Sequence, residues 1–367
     1  MNLKYILFVD DDEMNRELFS GAIEDWNEKQ EGAGRRFVPE IATSYEEAIN
    51  ALDRYKIDCA LLDLRLPQAV NDRETPAIGN KLAKEVLYSQ GLPLAVLSGH
   101  PGEIDESLRD LGLIEAFDKG DADGYESALD WLADKWHMMG TLRAAKSSID
   151  QSTAEVFAKR LWPRWSAYAS LEGSQEKLNR IIARQYVSHI ADILGLDNEV
   201  GIGWHPFENY NVPALFDNRA HTGDIFRLED GLWVVLSPQC DMATQKIPNV
   251  ILAGCAPGYD RWLENVETLS TSTNEKAREK ASAYFRNLVN QNLPASKHFL
   301  PPLPGEVEPL LVSFGNIKTV PLAELNALLN RRVASVSSPF ISNLVQRFGA
   351  FISRTGQPNL EVDHFAN

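Results

Sequence analysis

Apolar residues in the first 139 positions come in two textures. Short, near-continuous runs at 5–9, 37–41, 59–62, 94–97 and 114–117 predict five strands. Between them the apolar positions take helical spacing. Leu18, Phe19, Ala22, Ile23 and Trp26 share one side of 13–29; Ala48, Ile49 and Leu52 follow Ser44, which forms a capping box with Glu47 three residues on. Helices are predicted in the same way over 81–90, 103–111 and 125–139. Strands apolar on both faces and separated by helices predict an α/β, doubly wound parallel sheet covered on both sides over residues 1–139.

The texture then changes twice. Residues 140–148 are small and mildly basic and read as a linker. Helical periodicity returns over 152–170, with Val156, Phe157, Leu161 and Trp162 on one face before Pro163. It continues over 174–195 with Leu178, Ile181, Ile182, Tyr186, Ile190 and Ile193. Residues 140–199 are therefore expected to form a helical linker or hairpin, and a surface on which a homodimer could form. From 200 to 367 short strands, turns, Gly, Pro and Asn dominate, predicting a smaller, mainly-β domain. Residues 223–226 and 232–238 read as a hairpin turned at Asp230-Gly231; 310–314 and 317–320 read as later strands. A polar helical insertion is expected over 262–292, and a terminal helix over 338–354.

Charge sharpens this division. The 52 acids and 36 bases give a net charge of −16. Residues 1–139 hold 29 acids and 14 bases, net −15; residues 140–367 hold 23 and 22, net −1. Such asymmetry marks a domain boundary and argues against a first domain that coats nucleic acid. No apolar run is long enough to span a membrane, and the N-terminus has no signal-peptide pattern. Cys59, Cys240 and Cys255 are too scattered for a disulfide framework or a zinc site. A cytoplasmic location without membrane partners is expected.

The placement of some acids is chemical. In a parallel sheet, functional groups gather at the carboxyl ends of the strands. Asp10, Asp11, Asp63, Ser98 and Lys119 each follow or end a predicted strand. Three carboxylates in one crevice repel one another unless a divalent cation joins them, and an all-oxygen set suits Mg²⁺. A carboxylate is also a competent nucleophile toward phosphorus, and a lysine can offset charge on a transferring phosphoryl group.

The runs Val9-Asp10-Asp11-Asp12, Leu62-Asp63-Leu64-Arg65-Leu66-Pro67, Val96-Leu97-Ser98-Gly99 and Phe117-Asp118-Lys119 resemble the receiver domain of two-component response regulators, across residue 4 to about 139. The resemblance implies a flavodoxin-like (βα)5 fold with Asp63 as phosphoacceptor. It implies Mg²⁺ held by Asp10, Asp11, Asp63 and the backbone carbonyl of Arg65, one aspartate acting through water. Ser98 would bond one phosphoryl oxygen and Lys119 pair with another. The implied partner is a sensor histidine kinase or phosphotransfer protein. The competing explanation is a flavodoxin-like domain whose acids are solvated loop residues.

Three departures from the receiver pattern stand out. Gly120 occupies the place of the usual cis-proline after the lysine. Ala116 stands where an aromatic commonly relays phosphorylation. The loop 68–78 is long, and reads equally as a gate or kinase-recognition segment or as an insertion without a role. Residues 200–354 weakly resemble the SH3-like barrels of MazF/PemK-type toxin ribonucleases, but Leu232-Trp233 replaces their Arg-Pro. His205, His221, Cys240 and Asp241 are the candidates for chemistry there; loop histidines and a strand-end cysteine without catalysis are the alternative. His189 with Asp192 raises a histidine phosphotransfer site, against an ordinary helix-face neighbour. No DNA-recognition helix is evident, so DNA is not an expected partner. The expected function is a response-regulator-like phosphoacceptor, not a conventional enzyme, with a C-terminal module that binds a protein effector. The alternatives are a receiver-controlled ribonuclease, or a phosphate buffer in bacterial defence or stress signalling.

Overall fold

The computed structural model describes residues 2–70, 78–109, 112, 114–170, 174–196 and 203–355. The chain divides into two compact units, 1–194 and 195–367.

The first unit begins with strand β1 (Asn2–Val9), helix α1 (Glu13–Lys29), β2 (Arg35–Ala42), α2 (Tyr45–Arg54) and β3 (Cys59–Leu62). It continues with α3 (Gly79–Glu85), β4 (Leu94–Ser98), α4 (Glu106–Arg109), β5 (Ile114–Asp118) and α5 (Gly124–Ala133). The strands form one parallel sheet in the order β2-β1-β3-β4-β5, the flavodoxin-like arrangement expected from the apolar runs. Alternate residues feed two cores. Leu7, Val9, Leu62 and Val96 join Ala48 and Leu52 of α2 and Leu82 of α3. Ile6, Phe8, Leu61 and Leu97 join Phe19, Ile23 and Trp26 of α1 and Leu129 of α5. Two covered faces explain why these strands are apolar throughout.

Local signals behave as drawn, with adjustments. The Ser44 hydroxyl accepts from the Glu47 N–H at 3.2 Å, but the Glu47 carboxylate turns to the Thr43 N–H (2.8 Å) and hydroxyl (2.7 Å). The helix expected over 81–90 starts at Gly79 and ends in a wider π-type turn, Val86–Gln90. Of the helix expected over 103–111, Glu106–Arg109 is helical, while 110 and 111 lie outside the described residues.

The linker expected at 140–148 is a correction. Those residues lie inside one long helix, α6 (Trp136–Val156), and the helix expected over 125–139 breaks at Asp134–Lys135. Two side chains on this turn explain the order. The Arg143 guanidinium reaches the carboxylate of Asp58, buried just before β3, and also the Lys56 carbonyl at 3.0 Å. The Lys146 ammonium bonds the Gln90 carbonyl. Tertiary contacts thus override a composition that reads as a linker. Beyond α6 the chain makes a wider turn through Phe157–Leu161, α7 (Trp165–Ala169) after Pro163, and α8 (Gln175–Leu196).

The second unit comprises β6 (Tyr210–Asn211), β7 (Asp224–Leu228), β8 (Gly231–Val235), α9 (Gln239–Thr244), β9 (Asn249–Pro257), α10 (Trp262–Thr271) and α11 (Glu275–Val289). It ends with β10 (Lys297–Leu300), β11 (Leu310–Pro321), α12 (Leu322–Ala327), β12 (Arg332–Val336) and α13 (Ser338–Ile352). The seven strands form one curled antiparallel sheet, β10-β11-β9-β8-β7-β12-β6. Its outermost strands are brought together where the buried Tyr210 hydroxyl donates to the Pro301 carbonyl at 2.6 Å. The small SH3-like barrel is therefore a broader half-barrel, which does not establish the MazF/PemK likeness. The two strands expected at 310–314 and 317–320 are one strand with an irregularity between Ser313 and Ile317. The helical insertion is two helices, the second capped by the Asn274 side chain accepting from the Ala277 N–H at 3.2 Å. Helix α13 lays Leu344 and Phe348 on one face of the sheet with Val312, Phe314 and Val336; α12 lays Leu322 and Leu325 on the other with Phe226 and Val235.

Candidate functional site

The sheet's hydrogen bonds run one residue past three strand ends, and that extra residue is the chemical one each time. Asp10 N–H bonds the Ala42 carbonyl (3.1 Å), Asp63 N–H the Val9 carbonyl (2.9 Å), and Lys119 N–H the Ser98 carbonyl (3.3 Å). Backbone register, not loop chance, brings the groups to one end of the sheet.

Lys119 Nζ stands 2.6 Å from Asp10 Oδ2 and 2.6 Å from Asp63 Oδ2. Asp63 Oδ1 accepts from the Leu64 N–H at 2.6 Å. Asp10 Oδ1 accepts from the Asp12 N–H (3.0 Å) and the Asn15 amide (3.1 Å), and the Arg16 guanidinium bonds the Asp10 carbonyl at 3.0 Å. Asp12 itself caps α1 by accepting from the Asn15 N–H at 3.2 Å. Ser98 is buried at the end of β4, its hydroxyl accepting from the His100 N–H at 3.3 Å.

The electrostatics follow from crowding. Burial raises the Asp10 carboxyl above its ordinary range, with Lys119 opposing. Burial also raises Asp11, and the charges of Asp10 and Asp63 push it the same way. Burial pulls the Lys119 ammonium down, but its contacts with Asp10 and Asp63 outweigh this and hold it protonated. The Tyr125 phenol, which donates to the Asn15 carbonyl at 3.3 Å, is pushed up to about 12 by burial and then by these acids.

Carboxylate oxygens of Asp10, Asp11 and Asp63 lie within 4.8 Å of one another. Asp10 Oδ2 is buried and, although close to Lys119, has no aligned hydrogen bond. One lysine against three acids leaves negative charge unmatched. This all-carboxylate donor set and its excess negative charge fit a hard divalent cation such as Mg²⁺.

Neighbouring backbone fixes the frame. Gly79 N–H bonds the Leu64 carbonyl at 2.9 Å, and no side chain fits at Gly79 against Asp63 and Leu64. Gly124 opens α5 against the Asp118 carbonyl with equally little room. The turn after Lys119 forms without a cis peptide, the Gly120 N–H bonding the Asp118 carboxylate at 2.8 Å. Ala116 packs with one core and Phe117 with the other, so Phe117 does not stand in for the missing aromatic. Arg65 pairs with Glu103 through its guanidinium. Most of the long loop after Asp63, residues 71–77, lies outside the described residues. Asn15, Gly79 and Tyr125 were not singled out from the sequence; only Gly79, a glycine opening a helix, left a signal there.

Among the described residues no hydrogen bond or ion pair joins His205 or His221 to Cys240 or Asp241. His205 caps a short turn by accepting from the Phe207 N–H at 3.2 Å. His221 is buried against the Thr222 carbonyl, 3.0 Å away. The exposed Cys240 thiol contacts its neighbour Asp241 at 3.7 Å. The buried acid of this region is Asp224, held by Arg332 (3.0 Å), the Ser335 hydroxyl and the His221 N–H (2.7 Å). No hydrogen bond or ion pair joins His189 to Asp192 among the described residues.

Among solved structures, the chain is similar to a CheY-like response regulator receiver domain from Methanospirillum hungatei, at 20% identity over 38% of this chain and 98% of that one, TM-score 0.29. It is similar to the non-phosphorylated HemR receiver domain from Leptospira biflexa, at 28% identity over 35% and 93%, TM-score 0.25. A third is the receiver domain of a sensor histidine kinase from Pseudomonas aeruginosa, with a magnesium ion coordinated in its active site cleft: 19% identity, 37% and 98%, TM-score 0.27. No protein-family model and no curated protein matches the chain. No described helix is long and apolar enough to cross a membrane.

Proposed function

We propose that residues 1–139 form a phosphoacceptor of the receiver kind, taking a phosphoryl group on Asp63 from a sensor histidine kinase or phosphotransfer protein. The observation that carries this reading is the Lys119 ammonium set 2.6 Å from both Asp10 and Asp63 at the carboxyl end of a parallel sheet. A carboxylate oxygen of Asp63 attacks phosphorus, the P–N bond of a phosphohistidine breaks, and its electron pair stays on the imidazole nitrogen. Asp10, Asp11, Asp63 and the Arg65 carbonyl are the residues to hold Mg²⁺, which would supply charge neutralisation at the phosphoryl oxygens. Lys119 leaves Asp63 Oδ2 to pair with a phosphoryl oxygen while remaining on Asp10, and the Ser98 hydroxyl donates to another.

The acyl phosphate carries nearly two negative charges where the Asp63 carboxylate carried one, a net gain of about one between Ser98 and Lys119, enough to bias a two-state surface. With Ala116 in place of an aromatic, the response passes through Ser98 and the α4–β5 region without a rotating ring. The second unit is a protein-interaction or regulatory module, and DNA is not its target. The test is acyl-phosphate labelling of the full chain by a small phosphodonor with Mg²⁺, read by intact mass. Uptake is expected in the parent and absent in Asp63→Asn. Equal uptake in Asp63→Asn would remove the assignment.

A further inference from the structure

Six buried side-chain polar atoms among the described residues lack a hydrogen-bond partner, and three of them belong to residues lining one cavity in the second unit. They are Asn209 Oδ1, His298 Nδ1 and Arg347 Nε. The cavity, about 380 Å³, lies beneath α13 near the point where Tyr210 joins the two edges of the curled sheet. Asn209 immediately precedes β6, and His298 and Phe299 lie on β10. Phe340, Asn343 and Arg347 are spaced three and four residues apart and share one side of α13. An unpaired buried polar group is costly, so three around one cavity point to something that pairs with them.

The identity of that partner follows from charge and donor type. No acidic residue lines the cavity, so the Arg347 guanidinium meets no counter-ion there. Its recorded hydrogen bond, to the Lys297 carbonyl at 2.9 Å, orients it and leaves Nε unpaired. Burial, and then the Arg347 charge, push His298 down to about 3, so a neutral imidazole lines the cavity. In that form Nδ1 can carry the proton and donate. Asn209 Oδ1, by contrast, only accepts. Phe299 and Phe340 supply apolar wall.

We propose that this cavity binds a small organic oxyanion, a carboxylate or phosphate ester. Its oxygens take hydrogen bonds from Arg347 and His298, and an adjacent hydroxyl or amino group donates to Asn209. A guanidinium with a neutral imidazole is a donor pair suited to an oxyanion. The volume leaves space beyond the anionic group for the remainder of such a molecule. The second unit would then sense a metabolite independently of phosphorylation on the first.

The test follows the imidazole nitrogens of the full-length ¹⁵N-labelled protein by NMR, identifying His298 among the seven histidines through His298→Gln. Inorganic phosphate and acetate are titrated separately as minimal probes. A saturable His298 shift is expected with at least one, and which one distinguishes a phosphate ester from a carboxylate. The dissociation constant should rise about tenfold or more in Arg347→Gln. Because Arg347 also bonds the β10 backbone, Asn343→Trp serves as a second variant that places a bulky ring over the cavity from an exposed helix position and should also abolish the shift. If the cavity holds water alone, neither probe gives saturation, or sodium chloride at equal ionic strength reproduces the drift; either result overturns the proposal. Saturation that survives unchanged in both variants overturns it as well.

Discussion

Gly79 rests directly on the backbone that presents Asp63: a Cβ there would overlap the Asp63 carbonyl oxygen and stand 2.5 Å from Leu64 Cα. The start of α3 therefore sets the position of Asp63. Gly79→Ala should cost about 1–3 kcal/mol, the range for overpacking a buried site, and should slow phosphoryl uptake by Asp63. Urea denaturation and the labelling rate report the two effects. A variant with parent stability and rate would show that this contact relaxes freely.

Asp11→Asn should act in opposite directions with and without metal. It removes one of three crowded carboxylates, so the metal-free protein should melt at a higher temperature than the parent. Mg²⁺ affinity should fall by about tenfold or more, and the stabilisation that added Mg²⁺ gives the parent should shrink with it. Thermal melts across a Mg²⁺ series measure both.

Arg143→Ala leaves the buried Asp58 carboxylate with the Tyr5 N–H, 2.7 Å away, and the charge of nearby Lys4, but without its ion-pair partner. A loss of about 2–4 kcal/mol in the first unit is expected from uncovering a buried charge, reduced somewhat because Arg143 is itself about a third exposed. A chain ending at Met139 should show a similar loss relative to one ending at Leu194. Equal stability of the two truncations would return residues 140–148 to the status of a linker.

His298 gives the second unit a dependence on acid. Its folded pKa of about 3 lies below the ordinary 6.5, so the unfolded chain binds the proton first as pH falls. Stability is then complete above about pH 6.5 and declines progressively toward pH 3, by at most ~1.4 kcal/mol per pH unit. His298→Gln should flatten this part of the profile, read from urea midpoints followed by tryptophan fluorescence. An unchanged profile would mean that other groups carry the acid sensitivity.

The first unit was legible because β1, β3, β4 and β5 are apolar runs that each lead to a reactive residue at the carboxyl end; β2, with Arg35, Arg36 and Glu40, ends at Ala42. Cys59 to Leu62 followed by Asp63 is such a run, and neighbouring backbone bonds turn that sequence position into spatial position. Register does not reveal close approach, so Gly79, Asn15 and Tyr125 stayed hidden until helices were placed over the strand ends. The helix through Gly140 was missed for a related reason. Its order comes from Arg143 and Lys146 reaching residues 85 and 56 positions earlier in the chain. In the second unit β6, β9, β10 and β12 were not foreseen. For β6 and β12 the partners are remote, as with Val336 on Tyr210, and short strands of mixed polarity say little until those partners are in place. Asp224 and Arg332 likewise meet only through folding.

Strand β6 has a consequence for how the protein is born. Its ladder partner is β12, so residues 210–211 wait for 335–336 before they can pair. The parallel sheet, in contrast, has all its strands once residue 118 has been made. As the chain leaves the ribosome, a complete parallel sheet with its acid cluster can exist while the second unit is still an unfinished sheet with exposed edges. On the proposed function, translation that stops between these points would release a fragment able to take up phosphoryl groups with no finished module to answer them.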